Sequence, residues 1–75
     1  MLKRFEIVPH LQTWDVRHNQ VRFQSCGRKR DAIRVALALG HLQQRMGDEA
    51  EIVLRGPGGA ALATRRFLVS GLSSH

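Results

Sequence analysis

Apolar residues recur at helical spacing over one long segment of the chain, residues 27–47. With successive residues roughly 100° apart, this segment has one apolar side and one basic side. The apolar side comprises Ala32, Val35, Ala36, Leu39, Leu42 and Met46, and the basic side comprises Arg30, Arg34, His41 and Arg45. No proline interrupts the segment, and its alanine, leucine, arginine and glutamine residues favour helix. The pattern predicts one amphipathic helix that ends at Gly47, because glycine suits a left-handed C-terminal stop.

Three shorter segments before the helix alternate between apolar and polar residues, which is typical of half-buried strands. They cover residues 3–9, 14–18 and 21–25, with a tight turn at Asn19-Gln20. The side chains predicted to point inward are Phe5, Ile7, Trp14, Val16, Val21 and Phe23. The three strands therefore present one apolar face to the helix.

Two apolar segments follow the helix. Residues 51–55 predict a fourth strand with Ile52 and Leu54 inward, and the Gly-Pro-Gly-Gly sequence at 56–59 predicts a turn or loop. Residues 60–69 suit either a returning strand or a short helix, and the glycine-rich turn favours the strand. We expect one α+β domain over residues 1–69, in the order β-β-β-α-β with a further strand. It would be an antiparallel sheet of three to five strands with one helix packed on one face. Residues 70–75 are expected to form a frayed tail.

Three helix residues do not fit a simple amphipathic pattern. Ile33 and Leu37 widen the apolar side beyond what one sheet needs, so they are predicted to contact either the C-terminal segment or a second subunit. Gly40 costs roughly 1 kcal/mol relative to alanine unless another backbone approaches it closely. The wide apolar side, in a chain this short, makes a homodimer one of the expected states.

Composition narrows the class of protein. The chain has 75 residues, of which 43% are hydrophobic, which argues for one folded domain and against disorder. The single cysteine, Cys26, excludes an internal disulfide and fits a reducing compartment. The N-terminus lacks the hydrophobic segment of a signal peptide, and no apolar stretch approaches the ~20 residues of a membrane span. These features predict a cytoplasmic protein without a membrane partner.

The charge is strongly positive. The formal net charge is +6 and the pI is near 11.4, which favours a polyanionic partner such as nucleic acid or an acidic protein. Arg4, Arg17 and Arg22 on the outward strand face are nearly balanced by Glu6 and Asp15. The excess is therefore expected at Arg28, Lys29, Arg30, Arg34, Arg45, Arg65 and Arg66. These residues form either a polyanion-binding surface or a solvated basic face that aids solubility.

The sequence predicts no catalytic, metal or cofactor site. The four histidines lack the spacing of a metal motif, with only Cys26 to support them. Cys26 precedes a basic helix start that can activate a thiolate, but no histidine–acid arrangement accompanies it. The 56–59 segment lacks the lysine and the following helix of a phosphate-binding loop. We therefore expect a protein that is not an enzyme.

Several short motifs together resemble a bacterial domain-of-unknown-function family, number 2188. They are Ile7-Val8-Pro9-His10, Trp14 with Val16, Ala32-Ile33, Ala50-Glu51-Ile52-Val53-Leu54, and Gly59. The resemblance covers roughly residues 5–62. It departs from the family pattern at Arg28, where a capping threonine or similar residue is usual, and at Pro57-Gly58, where a polar turn is usual. The resemblance implies a small α+β fold, and it indicates no particular activity because none is established for the family.

Two functional hypotheses follow from these observations. In the first, the basic helix residues, assisted by Arg65 and Arg66, contact nucleic-acid phosphates without base specificity. In the second, Ile33, Leu37 and the C-terminal segment bury against a copy or a partner protein, and the positive charge serves solubility.

Overall fold

The computed structural model describes residues 2–69 of this protein. Its elements are β1 Leu2–His10, β2 Thr13–His18, β3 Val21–Cys26, α1 Lys29–Arg45, β4 Glu49–Arg55 and β5 Ala61–Phe67. The α+β class and the element order are as predicted, with one helix in residues 2–69. The last segment, which suited either a strand or a short helix, is a strand. The predicted tail at 70–75 lies outside the described residues.

The five strands form one mixed sheet in the order β3-β2-β1-β4-β5. The sheet is mostly antiparallel, but β1 and β4 pair in parallel, with Phe5 opposite Ile52. The predicted wholly antiparallel sheet is wrong at this pair. The reason is the crossover: α1 carries the chain from β3, at one edge, past β2 and β1, so that β4 enters in the direction of β1.

The two ends of α1 differ, because only the C-terminal end has a capping motif. The helix starts after Arg28, whose side chain makes no capping hydrogen bond. It ends in a Schellman arrangement, in which the Gly47 N–H donates to the Gln44 carbonyl at 3.1 Å and the Asp48 N–H donates to the Gln43 carbonyl at 2.9 Å. Gly47 has a φ of 87°, so the predicted glycine stop is confirmed.

Small residues seat α1 on the sheet. Ala32, Ala36 and Gly40 are the buried residues of the helix and recur every four positions. Val35 and Leu39 pack beside them and are partly buried. The buried side of the helix is therefore rotated relative to the predicted apolar side. The prediction is wrong at the C-terminal end, where Leu42 is 44% exposed and Met46 is 63% exposed.

The core lies between α1 and the sheet. Phe5, Ile7, Val16 and Ile52 are buried there as predicted, while Trp14 and Leu54 are partly buried against them. Phe67 of β5 joins this core at 3% exposure. Its ring lies against Gly40, so a side chain rather than another backbone approaches this glycine closely.

Val21 and Phe23, both predicted to point inward, are exposed, and the prediction of the face is wrong for Phe23. The β2–β3 register shifts between Val16 and Arg17, so that Arg17 pairs with Arg22 whereas Val16 pairs with Gln24. Phe23 is left out of the pairing by this bulge, and it is 58% exposed. The bulge brings Cys26, rather than Phe23, into the core.

Candidate anion-binding surfaces

The helix carries most of the predicted polyanion-binding residues on its solvent side. Arg30, Arg34, His41 and Arg45 are exposed and share one stripe, as predicted. The stripe is about 22 Å long from Arg30 to Arg45, at 1.5 Å per residue. We name Arg28, Lys29, Arg30, Arg34 and Arg45 the basic helix surface.

The first turn of the helix concentrates positive charge. Arg28, Lys29 and Arg30 are all exposed, and Asp31 is the acidic residue of that turn. Lys29 places its ammonium 5.8 Å from the centre of the Trp14 ring, within range of a cation–π contact. Each positive charge at the N-terminal, positive end of a helix dipole lowers helix stability by a few tenths of a kcal/mol. The turn is therefore a place where a bound anion would stabilise the helix.

Arg65 and Arg66 point to opposite faces of the sheet. The Arg65 guanidinium lies 5.0 Å from the centre of the Phe67 ring, on the helix side. Arg66 donates from Nε to Glu51 Oε2 at 3.2 Å, on the face that carries no helix, which we name the open face. The structure therefore separates Arg66 from the basic helix surface.

Ion pairs hold Arg4, Arg55 and Arg66 on the open face, whereas Arg22 on the same face forms none among the described residues. Arg4 Nε donates to Glu51 Oε1 at 2.7 Å, and Arg55 donates to Glu6 Oε2 at 2.7 Å. The hydrogen bonds from Arg4 and Arg66 hold the pKa of Glu51 below its ordinary value, against the opposing effect of burial. By contrast, the residues of the basic helix surface form no ion pair within the described part of the chain.

Asp15 is the least expected residue of the open face, because it is only 1% exposed although no helix covers it. Ser25 Oγ donates to Asp15 Oδ1 at 2.5 Å, and Arg17 approaches Oδ2 to 3.6 Å. The Ser25 hydrogen bond lowers the pKa of Asp15, with further lowering by His10, Arg22 and Arg17, while burial acts in the opposite direction. From the sequence, Asp15 is expected only to balance surface charge.

A cleft lies beside Asp15 at one end of the open face. It is an open depression with a volume of about 820 Å³, lined by His10, Leu11, Gln12, Thr13, Arg22 and Ser25. We name it the cationic cleft. The sequence pattern does not single out these residues as a group. The position of Arg22 opposite Arg17 can nevertheless be predicted, because a two-residue turn at Asn19-Gln20 fixes that pairing.

Ile33 and Leu37, predicted to drive self-association, line a separate apolar groove between α1 and the β4–β5 hairpin. The groove has a volume of about 220 Å³ and also includes Ile52, Leu54 and Ala63. Both helix residues are partly buried by their own chain. The groove therefore brings the two predicted residues together and leaves part of each side chain exposed.

Metal and thiol chemistry has little support among residues 2–69. No group of three histidine, cysteine, aspartate or glutamate side chains is placed there to hold a metal ion. Cys26 is a free, buried thiol that packs in the core. No helix in the described range is long and apolar enough to cross a membrane.

A scan against models of known protein families, a search of curated proteins and a search of solved structures found no match to this chain. The resemblance to the family of unknown function therefore stays a prediction.

Proposed function

We propose that this chain is a small basic binding module that contacts nucleic-acid phosphates, without base specificity, through the basic helix surface. The observation that carries the proposal is the contrast between two sets of cations. Arg4, Arg55 and Arg66 on the open face are each held by a carboxylate. The helix cations are exposed and have no carboxylate partner in the described range.

Unpaired, exposed arginines are suited to phosphate. A guanidinium presents a planar fork of N–H donors that matches phosphate oxygens, and binding releases the counterions condensed on the nucleic acid. The stripe of about 22 Å spans a length over which duplex DNA carries about thirteen phosphates. The surface carries few aromatic side chains, so contacts to the backbone rather than stacking on bases would supply the affinity.

Fluorescence anisotropy with labelled duplex DNA and duplex RNA tests this proposal. The full chain is expected to bind both at low salt and to lose affinity steeply as salt rises. The double variant Arg30→Gln, Arg34→Gln is expected to weaken binding by at least about tenfold. The double variant Arg4→Gln, Arg55→Gln is the matched control, because it removes the same number of positive charges from the opposite face. Absence of binding at low salt, or an equal loss of affinity in this control, would refute the proposal.

A second candidate function is self-association through the apolar groove. Its support is the clustering of Ile33 and Leu37 with Leu54 in an open, apolar-lined depression. Sedimentation velocity over a wide range of protein concentration tests it, with Leu37→Gln expected to abolish any dimer. Leu11→Gln is the control, because Leu11 is 91% exposed and lies outside the groove. A monomer at every concentration would remove this candidate.

A further inference from the structure

Two arginines face each other across the β2–β3 ladder, and the acid beside them, Asp15, reaches Arg17 only at 3.6 Å. Arg17 and Arg22 are partners in the antiparallel register, on the open face. Like charges directly opposite on neighbouring strands destabilise a sheet. On its other side Arg17 pairs with Glu6 in the β1–β2 register, but the Glu6 carboxylate accepts from Arg55 at 2.7 Å. The like-charge pair is therefore not relieved from that side.

The Arg17 side chain also has an unsatisfied donor. Its Nε atom is buried and has no hydrogen-bond partner among the described residues. The nearest carboxylate oxygen, Asp15 Oδ2, is 3.6 Å from the terminal guanidinium nitrogen, which is too long for a hydrogen bond. A buried donor without a partner is costly, so the contacts within the described residues do not fully stabilise the Arg17 guanidinium.

The cationic cleft opens beside this pair, since Arg22 belongs to both. Its other polar groups are the His10 imidazole, the Gln12 amide and the Thr13 and Ser25 hydroxyls. Thr13 Oγ1 donates to the His10 carbonyl at 2.9 Å, which fixes the turn between β1 and β2. The buried Asp15 carboxylate faces Ser25 and Arg17 and offsets part of the local positive charge, but the two arginines leave a net positive charge beside the cleft.

We propose that the cationic cleft binds a small phosphate monoester, with Arg22 as the principal ligand and Arg17 and His10 beside it. The donors belong to three neighbouring strands, β3, β2 and the end of β1, on one face of the sheet. A phosphate monoester presents three oxygens to such a row of donors, whereas a carboxylate presents two. Leu11, exposed at the rim, provides apolar contact for the organic group of the ester. This site lies on the opposite face from the basic helix surface and does not depend on it.

The test is an NMR titration of the ¹⁵N-labelled full chain at constant ionic strength, with inorganic phosphate, phenyl phosphate and benzoate as probes. Phosphate and phenyl phosphate are expected to give saturable shifts at the Thr13, Arg22 and Ser25 amides, and phenyl phosphate should also shift Leu11. Benzoate is expected to bind more weakly at the same residues. Shifts that rise linearly without saturation, or that follow the helix instead, would overturn the proposal.

Variants separate a built site from general charge attraction. Arg22→Gln is expected to weaken phenyl phosphate binding about tenfold or more, and Arg22→Lys, which keeps the charge but loses the guanidinium fork, about threefold. Arg34→Gln, which makes the same charge change on the helix, is expected to leave the affinity unchanged. Arg22 is exposed, so both variants should fold, and their spectra report this directly. Unchanged affinity in both Arg22 variants would refute the site.

Discussion

The ring of Phe67 occupies the space into which a side chain at Gly40 would project. A Cβ atom built on Gly40 would lie 2.5 Å from Cε1 and 2.7 Å from Cδ1 of that ring. Real side chains do not approach so closely, and the ring is only 3% exposed, so it has little room to move. The contact joins the middle of the only helix in residues 2–69 to the end of edge strand β5.

Gly40→Ala is therefore expected to destabilise the protein by about 1 to 3 kcal/mol through overpacking, although alanine favours helix by about 1 kcal/mol. Urea unfolding followed by circular dichroism measures the change. Gly27→Ala is the matched control, because nothing lies within 4 Å of its Cβ position, and it should be close to neutral. In the double variant Gly40→Ala, Phe67→Leu, the smaller leucine side chain should recover part of the lost stability. Equal effects of Gly40→Ala and Gly27→Ala would contradict this packing.

The β2–β3 bulge predicts that two phenylalanines differ sharply in their contribution to stability. Phe5 is 3% exposed and Phe23 is 58% exposed. Phe5→Ala is expected to lower the free energy of unfolding by about 3 to 5 kcal/mol, and Phe23→Ala by less than about 1 kcal/mol. Thermal and urea unfolding of both variants provide the comparison. A large loss in Phe23→Ala would mean that the strand register without a bulge is the right one.

Stability is expected to fall in acid because of Asp15 and Glu51. In the folded state both carboxyl groups have a pKa below the ordinary values of 3.8 and 4.5. The two ionised carboxyl groups therefore contribute fully to stability at a pH above their ordinary pKa values. That contribution is lost as the pH falls through the lowered pKa values of the folded state. Urea unfolding from neutral pH into acid should show the free energy of unfolding declining below about pH 4.5.

Asp15→Asn should reduce that pH dependence. At neutral pH the variant is expected to be less stable by about 1 to 3 kcal/mol, because an amide at this position lacks the charge that Ser25 and Arg17 face. At low pH the variant and the parent protein should converge. Glu49→Gln serves as the control, since Glu49 is half-buried and forms no ion pair within the described range. Parallel stability curves for the parent and Asp15→Asn would contradict the role given to this carboxylate.

The proposed nucleic-acid binding has a quantitative salt dependence. If the five cations of the basic helix surface all contact phosphates, the logarithm of the association constant for duplex DNA should fall with the logarithm of salt concentration with a slope of about −4.5. Arg34→Gln should make the slope shallower by about 1, whatever the DNA sequence. Anisotropy titrations over a range of salt concentrations give both slopes. A slope that Arg34→Gln leaves unchanged would exclude Arg34 from the contact.

Much of the local structure is predictable from periodicity and turn chemistry. Alternation places the strands, and the 3.6-residue repeat with Gly47 places the helix and its end, because each signal depends on residues close in sequence. The exposed positions of Arg30, Arg34, His41 and Arg45 follow from the same repeat. The sequence therefore predicts the position of five of the seven cations proposed for polyanion binding, because these five lie on the helix or directly before it.

Contacts between residues far apart in sequence decided the rest. Periodicity contains no information on whether β4 pairs with β1 or with another strand, so the parallel pair arose only from the path of the crossover. The bulge reversed the expected face of Phe23, because a single extra residue changes the side to which every later residue in the strand points. Arg66 pairs with Glu51 instead of joining the helix surface, and the role of Gly40 depends on Phe67, 27 residues further along the chain. The sequence alone determined the elements and their charge, whereas tertiary packing determined which charges of residues 2–69 are paired with a carboxylate and which are exposed without one.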